Sequence, residues 1–213
     1  MIISKIISDN KNINTKILDL GCDIGFLGFT LSKLNRDFVI HGVDINKENL
    51  KIAKGHYEKT YVFDLNTKTW PISGKYEVVV LADTLEHLTN PKKVLSNVYK
   101  LLKKNGLLIV SVPNIVFWWS RLLIMVGRFP KHKRGIFDKT HLHCFTRQTL
   151  ENLLTLNKFK IESFHTTNFP LQFIFNKKKL NLPLRIIYDF NYLLSVIWPN
   201  LFSYQIILVV SKD

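Results

Sequence analysis

The chain has 213 residues, 46% of them hydrophobic, and its 30 basic residues outnumber 16 acidic residues to give a formal net charge of +14. This composition excludes a disordered or fibrous chain, and the length predicts one domain over residues 1–213. The positive charge favours nucleic acids, anionic lipid surfaces or acidic substrates as partners, although lysines that merely coat the surface would give the same total.

Strand and helix patterns alternate over residues 16–112. Apolar runs predict strands at 16–20, 38–43, 61–63, 76–81 and 107–112, with helices at 26–34, at 47–54 and after Asn90. The strands are apolar throughout, which is typical of strands covered by helices on both faces. We therefore predict a doubly wound α/β sheet, whose ligands bind at the carboxyl ends of the strands.

The helix after Asn90 has the clearest boundaries. Asn90 is suited to cap it, Pro91 suits its first position, and Gly106 is its predicted end. Its predicted apolar face consists of Val94, Leu95, Val98, Leu101 and Leu102.

The second half of the chain has a different composition. Residues 113–145 are rich in aromatic, aliphatic and basic side chains, and residues 166–203 are again rich in aromatic ones. Between them, Thr146 is suited to cap a helix over 147–156, and a strand is predicted at 159–164; the last strand is predicted at 204–210. We expect segments 113–145 and 166–203 to form an aromatic-rich lid on the substrate side of the sheet.

The most informative stretch is the turn that follows the first strand. The strand ends at Asp19 and Leu20, and a turn with Gly21 and Gly25 leads directly into a helix pattern. Glycines leave the backbone N–H groups open, and a helix N-terminus favours negative charge, so we expect a polar or anionic ligand to approach closely. A nucleoside-like ligand fits this geometry.

The run from Asp19 to Gly25 resembles the first motif of class I S-adenosylmethionine-dependent methyltransferases. The resemblance implies S-adenosylmethionine as cofactor and a Rossmann-like sheet of about seven strands with the last one antiparallel. It also implies that Asp44 holds the ribose hydroxyls, that Asp64 lies near the adenine amino group, and that the segment around Asp83 flanks the transferred methyl. The remaining residues assigned to the cofactor site are Gly21, Asp23, Ile45 and Leu65.

Asp23 stands where the family has a glycine. Aspartate tolerates a left-handed backbone better than most residues, so we expect the turn to survive. Its carboxylate could bind the amino group of the cofactor's methionine, or it could repel the carboxylate of the same moiety.

The second half adds a finer resemblance. Arg128-Phe129, the run Gly-Ile-Phe-Asp-Lys-Thr-His (135–141) and Phe145-Thr146 resemble the tails of methyltransferases encoded among glycan-assembly genes, and the core resembles ubiquinone-biosynthesis O-methyltransferases. This resemblance implies a hydroxyl, or a similar group, of a small-molecule or glycan/lipid-linked acceptor.

Three histidines are candidate bases, because imidazole titrates near neutral pH. His87 could instead be a structural cap beside the fourth strand. His141 and His143 are expected to face the same side of an extended segment. With Asp138 they could be metal ligands, but without a fourth ligand we expect a polar pocket wall and no metal.

Two apolar stretches in the lid leave alternatives open. Residues 115–126 are too short to span a bilayer. Residues spaced like one helix face (Ile186, Ile187, Phe190, Leu193, Leu194, Ile197 and Trp198) favour packing on the domain's own core. With neighbouring lysines and arginines, both stretches could instead contact an anionic membrane. The two cysteines lie far apart and no signal peptide is recognisable, so we expect a cytoplasmic protein, with any membrane contact peripheral and at the inner face.

Other functions fit the sequence less well. A nucleic-acid methyltransferase would suit the charge, but the fourth strand ends in Ala-Asp-Thr-Leu-Glu-His, without the Pro-Pro-aromatic motif of base-modifying enzymes, and no RNA-binding module is recognisable. The glycine spacing does not match the dinucleotide fingerprint of a dehydrogenase. A non-catalytic protein that binds the cofactor is a further alternative.

Overall fold

The computed structural model describes residues 2–10, 15–34, 38–168 and 182–212. The strands in these ranges are β1 (Lys16–Leu20), β2 (Val39–Asp44), β3 (Lys59–Val62), β4 (Tyr76–Ala82), β5 (Leu102–Pro113), β6 (Phe159–Thr167) and β7 (Gln205–Lys212). They form one sheet in the order β3-β2-β1-β4-β5-β7-β6. Strands β1 to β5 pair in parallel, and β7 is antiparallel to both β5 and β6. The predicted Rossmann-like sheet with an antiparallel last strand is confirmed.

The α-helices in the described ranges are α1 (Ile2–Asn10), α2 (Phe26–Ser32), α3 (Lys47–Ala53), α4 (Pro91–Leu101), α5 (Trp118–Met125), α6 (Arg147–Leu156), α7 (Leu182–Ile197) and α8 (Pro199–Phe202). The two predicted caps are confirmed, because the side chains of Asn90 and Thr146 accept hydrogen bonds from the backbone N–H groups of Lys93 and Thr149. None of these helices is long and apolar enough to cross a membrane.

Alternate residues of the central strands pack on opposite faces of the sheet, as pleating requires. On one face, Leu18 and Leu20 of β1 share a core with α4 and α6. On the other face, Ile17 packs with α1, α2 and α3. Both faces are therefore covered, and for this reason the strands are apolar throughout.

Helix α1 was not predicted from the sequence. Its buried residues Ile3, Ile6 and Ile7 follow helical spacing and join the core with α2 and α3. The spacing i, i+3, i+4 was the available signal, but one turn of it is too short to distinguish a helix from an apolar strand.

The predicted end of α4 is wrong. The helix ends at Leu101, and Leu102 instead begins β5, where it pairs with Tyr76 of β4. The register then shifts, and Asn105 has a left-handed backbone (φ 58°), so an irregularity that includes Gly106 lies inside the strand. Leu102 is therefore buried as a residue of strand β5 and is not part of the apolar face of α4.

The lid is described only in part, since residues 169–181 lie outside the described ranges. Phe117, Ile136 and Phe137 form a small buried cluster of their own. The expectation that the face on α7 packs on the core is wrong for Phe190, Leu193, Ile197 and Trp198, each more than half exposed. The side chains of Ile186 and Ile187 lie outside what the structure describes.

The direction of winding reverses between β1 and β4, because the chain proceeds from β1 to β2 and β3 on one side and continues with β5 on the other. Ligand crevices of open α/β sheets lie at such a point.

Candidate active site

A cavity of about 690 Å³, here the first cavity, opens where the winding reverses. This volume lies within the range of small-molecule sites. Eight of the nine residues predicted to bind the cofactor line it: Asp19, Gly21, Asp23, Asp44, Ile45, Asp64, Leu65 and Asp83. Gly25 is not among the lining residues, and it precedes α2 with a left-handed backbone (φ 87°).

The Asp44 carboxylate is held by backbone donors. The N–H of Asp23 donates to its Oδ2 over 2.9 Å, and the N–H of Asn46 donates to its Oδ1 over 2.8 Å. Each carboxylate oxygen has a second lone-pair site, so both can still accept a hydroxyl hydrogen. The residue is thus oriented at the end of β2 before any ligand binds.

Asp23 adopts the left-handed conformation expected for it, with φ 48°. Its side chain accepts a hydrogen bond from the Asn49 amide at the start of α3. The substitution of the family's glycine therefore preserves the turn and links it to the next helix.

The glycines of the turn are required for packing inside the protein. A Cβ on Gly21 would lie 2.4 Å from the Thr84 hydroxyl oxygen, and one on Gly25 would lie 2.9 Å from Ala53. From the sequence, we expected the missing Cβ of these glycines to let a ligand approach the backbone. That reason is wrong, because protein atoms occupy the positions that a Cβ would take.

Asp19 is buried at the base of the first cavity, 3% exposed. The Tyr57 hydroxyl donates to its Oδ2 over 2.6 Å and accepts from the Gly28 N–H over 3.3 Å. Burial raises the pKa of Asp19 from 3.8 to about 7, although the tyrosine bond opposes the rise. A cationic ligand in the cavity would favour the ionised form.

Asp64 is part of a turn that follows β3. Its Oδ1 accepts from the backbone and side-chain N–H groups of Asn66. Asn66 in turn accepts from the Thr89 N–H and hydroxyl, each over 2.8 Å, which connects this wall to the segment after β4. Asn66, Thr84 and Phe26 also line or shape the cavity and were missed from the sequence.

Asp83 follows β4 with a left-handed backbone (φ 50°) and lies at the boundary of a second cavity. The Gln205 side-chain amide donates to both of its carboxylate oxygens, over 2.8 and 2.6 Å, and the Ser111 hydroxyl donates over 3.2 Å. The residue is exposed, but its carboxyl group is surrounded by protein groups, and this desolvation raises its pKa. Sequence reasoning missed Gln205, since nothing local marks a residue that lies on β7.

The second cavity, of about 530 Å³, adjoins the first and shares Asp83 and His87 with it. Its other lining residues include Glu86, Arg134, Asp138, His141, Tyr204 and Gln205. Two of the three predicted bases, His87 and His141, are thus brought together, with ring centroids 4.8 Å apart.

The ring of His87 is oriented through its Nδ1. This nitrogen lies 3.2 Å from the Thr140 carbonyl and 3.1 Å from the Thr140 hydroxyl, which itself donates to Asp138 over 2.7 Å. Since the hydroxyl hydrogen is used by Asp138, we assign the ring proton to Nδ1. Nε2 is then the basic nitrogen, and no described residue hydrogen-bonds to it.

Glu86 is a buried carboxyl group, 1% exposed, and neither of its oxygens has a hydrogen-bond partner among the described residues. Burial, with a smaller contribution from Asp83, raises its pKa from 4.5 to about 8. The Nε2 of His141 lies 3.9 Å from Glu86 Oε1. Burial lowers the pKa of His141, and its Nδ1 donates to the Ile136 carbonyl over 3.1 Å. At neutral pH the pair is therefore largely uncharged.

Glu86, His87 and His141 are also the residues that could hold a metal ion, because one ligand atom from each lies within 4.8 Å of the others. This grouping differs from the His141, His143 and Asp138 set considered from the sequence. Three ligands are fewer than a closed structural site uses.

His143 lies outside the lining of both cavities. Its Nε2 is 3.0 Å from the Leu88 carbonyl, and its backbone N–H donates to the Glu86 carbonyl over 3.1 Å. The structure therefore gives it contacts that hold segment 141–143 against the turn 85–88.

Comparison with known proteins identifies the domain. Residues 3–163 match the family model described as a methyltransferase domain. A ubiquinone biosynthesis O-methyltransferase of Haemophilus ducreyi is 32% identical over 128 residues, which cover 55% of this chain and 53% of the relative. A carboxy-S-adenosyl-L-methionine synthase of Campylobacter fetus subsp. fetus is 30% identical over 163 residues, which cover 72% of this chain and 68% of the relative. The chain spans about half the length of the ubiquinone-type relatives it matches.

A solved structure agrees in fold. An S-adenosylmethionine-dependent methyltransferase from Archaeoglobus fulgidus superposes with a TM-score of 0.62 at 18% identity, over 99% of this chain and 93% of that one. The family match covers most of the chain, and the crevice is where such folds bind their ligands. The chain belongs to the methyltransferase-domain family, within the class I fold that uses S-adenosylmethionine as its cofactor.

Proposed function

We propose that the protein transfers a methyl group from S-adenosylmethionine to a hydroxyl, or a similar group, of a small-molecule or glycan/lipid-linked acceptor that binds in the second cavity. The observation that carries this proposal is the position of His87. It lines both cavities, and its Nδ1 is engaged while Nε2 has no partner among the described residues.

The residues of the first cavity fit the cofactor. Asp44 is oriented and retains acceptor capacity for two ribose hydroxyls, and Asp64 lies on the next wall for the adenine. Asp19, Asp23 and Asp83 place carboxylates around the region left for the methionine part, whose amino and sulfonium groups are cationic. When bound, the cofactor supplies a methyl group that its sulfonium makes electrophilic.

The chain's own contribution is positioning and proton removal. A hydroxyl in the second cavity would donate to His87 Nε2 and give up its proton there as its oxygen forms the new bond to the methyl carbon. The bound cofactor would supply the methyl group, and its sulfur would keep the electron pair of the carbon–sulfur bond. Thr140 and Asp138 hold the Nδ1–H side of the ring and would stabilise the imidazolium that forms.

Several observations support the class of acceptor. Relatives named ubiquinone biosynthesis O-methyltransferases support a small molecule with a hydroxyl. The second cavity is lined by carboxyl, imidazole, phenol and amide groups, which suits a polyhydroxylated ligand. A lipid-linked acceptor would be met at a membrane surface, so the proposal includes peripheral contact with an anionic membrane.

The test is methyl transfer from methyl-labelled S-adenosylmethionine to a panel of a catechol, a free sugar, a lipid-linked sugar and an RNA. We expect label in an alkali-stable ether on a hydroxylated acceptor and none in RNA. Calorimetry should give binding of S-adenosylhomocysteine and no binding of NAD. Label in RNA alone would contradict the proposal, and cofactor binding without transfer to any acceptor would favour a non-catalytic binding protein.

A further inference from the structure

An apolar surface on the lid has no covering group among the described residues. It consists of α5 and the four residues that follow it, and most of its large side chains face solvent. Six of them are 47–81% exposed: Trp119, Leu122, Ile124, Met125, Val126 and Phe129. Scattered exposed apolar residues are ordinary, but a dense group of them marks a site of interaction.

This surface is built on an ordered base. Leu123, on the inner side of α5, packs on the cluster of Phe117, Ile136 and Phe137. The helix ends at Met125, and Gly127 follows with a left-handed backbone (φ 70°). The N–H groups of Gly127 and Arg128 donate hydrogen bonds back into the last turn of the helix. The exposed side chains are therefore held outward by a folded segment.

The same segment is strongly basic. Residues 113–137 contain five lysines and arginines and no aspartate or glutamate. The five are Arg121, Arg128, Lys131, Lys133 and Arg134, all exposed, and none forms an ion pair with a described residue. Apolar side chains bordered by unpaired cations match the headgroup region of an anionic bilayer, where a short helix lies in the interface without spanning it.

Other occupants fit less well. A second copy packed on the same surface by two-fold symmetry would bring the two sets of five cations together. A nucleic acid would pair with the cations and stack on Trp119 and Phe129, but the other exposed side chains, Leu122, Ile124, Met125 and Val126, offer it neither stacking nor hydrogen bonds.

We propose that α5 and the basic segment 128–134 form a docking surface for an anionic membrane. This inference extends the proposed function, because the segment continues into the second cavity, whose lining includes Arg134 and Gly135. Docking would bring the mouth of that cavity to the lipid headgroups. An acceptor anchored in the bilayer could then reach His87 without leaving it.

The first test uses vesicles of phosphatidylcholine alone and of phosphatidylcholine mixed with phosphatidylglycerol, with the full chain and without cofactor or acceptor. We expect sedimentation with the mixed vesicles only, and a loss of binding at high salt. Equal binding to both kinds of vesicle, or binding to neither, would overturn the proposal. Because no methyl transfer is measured, this outcome is independent of whether the protein is a methyltransferase.

Charge reversal then tests the basic segment. Lys131→Glu with Lys133→Glu should weaken binding to mixed vesicles at least about tenfold, since each cation near such a surface contributes on the order of 1 kcal/mol. The matched control is Lys54→Glu with Lys104→Glu, which makes the same change in net charge at exposed positions outside the lid. An equal loss in both pairs would mean that only total charge matters, and it would contradict a defined surface.

Removal of apolar side chains tests α5. Trp119→Ser with Met125→Ser should also cost at least about tenfold in vesicle binding. The control, Ile52→Ser with Leu156→Ser, removes side chains of similar exposure, 63% and 77%, outside the lid. Unchanged thermal unfolding would establish that all variants fold. If the wild type is a dimer that Trp119→Ser with Met125→Ser makes monomeric, the surface is a self-interface and the proposal is wrong.

Discussion

The two cavities that meet at Asp83 and His87 are assembled in opposite ways. The first is formed by short segments that directly follow β1, β2, β3 and β4, and backbone groups orient its key carboxylate. The second draws on residues 83–87, 113, 134–141 and 204–205, which only the fold brings together. The difference indicates that the first cavity, proposed for the cofactor, is encoded by local segments, whereas the second cavity, proposed for the acceptor, depends on long-range contacts of side chains.

The largest effect should come from the residue shared by both cavities. His87→Asn should lower turnover about 10²- to 10⁴-fold, because it removes the proposed base, while the affinity for S-adenosylhomocysteine stays nearly unchanged. His141→Ala should also lower turnover far more than cofactor binding. His143→Asn, outside both cavities, should retain most of the activity. Steady-state kinetics and calorimetry measure turnover and affinity in the three variants. A severe loss of turnover in His143→Asn would contradict the assignment of His143 to a position outside the site.

Asp44→Ala should break the first cavity alone. It removes the carboxylate proposed to accept two ribose hydroxyl hydrogen bonds and the partner of the Asp23 N–H, so the affinity for S-adenosylhomocysteine should fall about 100-fold or more. Asp138→Ala, a carboxylate of the second cavity, is the control and should leave that affinity within about twofold. If calorimetry gave equal losses of affinity for the two variants, the first cavity would not bind the cofactor independently of the second.

Gly21→Ala tests whether the turn is fixed by packing. The added Cβ would collide with Thr84, and alanine is strained in the left-handed backbone of this position. The free energy of unfolding should therefore fall by about 2–4 kcal/mol. Gly55→Ala is the matched control, because no atom lies within 4 Å of its added Cβ, and a change within about 0.5 kcal/mol is expected. Urea unfolding measures both, and a silent Gly21→Ala would refute the packing role.

The pH dependence of stability should distinguish the buried carboxyl groups. The folded protein holds the Asp19 proton more tightly than the unfolded chain does, so this group lowers the free energy of unfolding as pH rises from 3.8 to about 7. Asn at this position cannot ionise. The free energy of unfolding of Asp19→Asn should therefore rise relative to that of the wild type across this pH range, by at most about 4 kcal/mol.

For Glu86→Gln, in the second cavity, the free energy of unfolding should likewise rise relative to the wild type as pH rises from 4.5 to about 8. Urea unfolding of the cofactor-free protein at several pH values measures both variants. Parallel pH profiles for the wild type and a variant would show that the group in question does not bind its proton more tightly when folded.

The smallest expected effect concerns a long-range contact. Gln205→Leu removes the amide that holds the Asp83 carboxylate, and turnover should fall about 3- to 10-fold through loss of orientation. Gln148→Leu, exposed on α6, should have no effect. A Gln205 variant with wild-type kinetics would mean that Asp83 needs no orientation from β7.

The same contrast explains what could be predicted from the sequence. Strand β1 and helix α6 were predicted correctly, because apolar runs and caps are local signals. Asp19 and Asp44 were singled out because they stand at strand ends, and the structure places both on the lining of the first cavity. The end of α4 was not predicted correctly, because the position of Leu102 in the sequence fits the apolar face of a helix as well as a strand. The contact of Gln205 with Asp83 and the isolation of Glu86 have no local signal, because each depends on how distant segments pack.

The first cavity is acidic in a chain of opposite sign. Asp19, Asp23, Asp44, Asp64 and Asp83 line it, and no lysine or arginine is among its described lining residues. S-adenosylmethionine carries one more positive charge than S-adenosylhomocysteine, the compound left after the methyl has gone. Carboxylates in a partly desolvated space discriminate between two such molecules by their charge. S-adenosylhomocysteine would thus be held less tightly than S-adenosylmethionine, which favours replacement of the product by fresh cofactor.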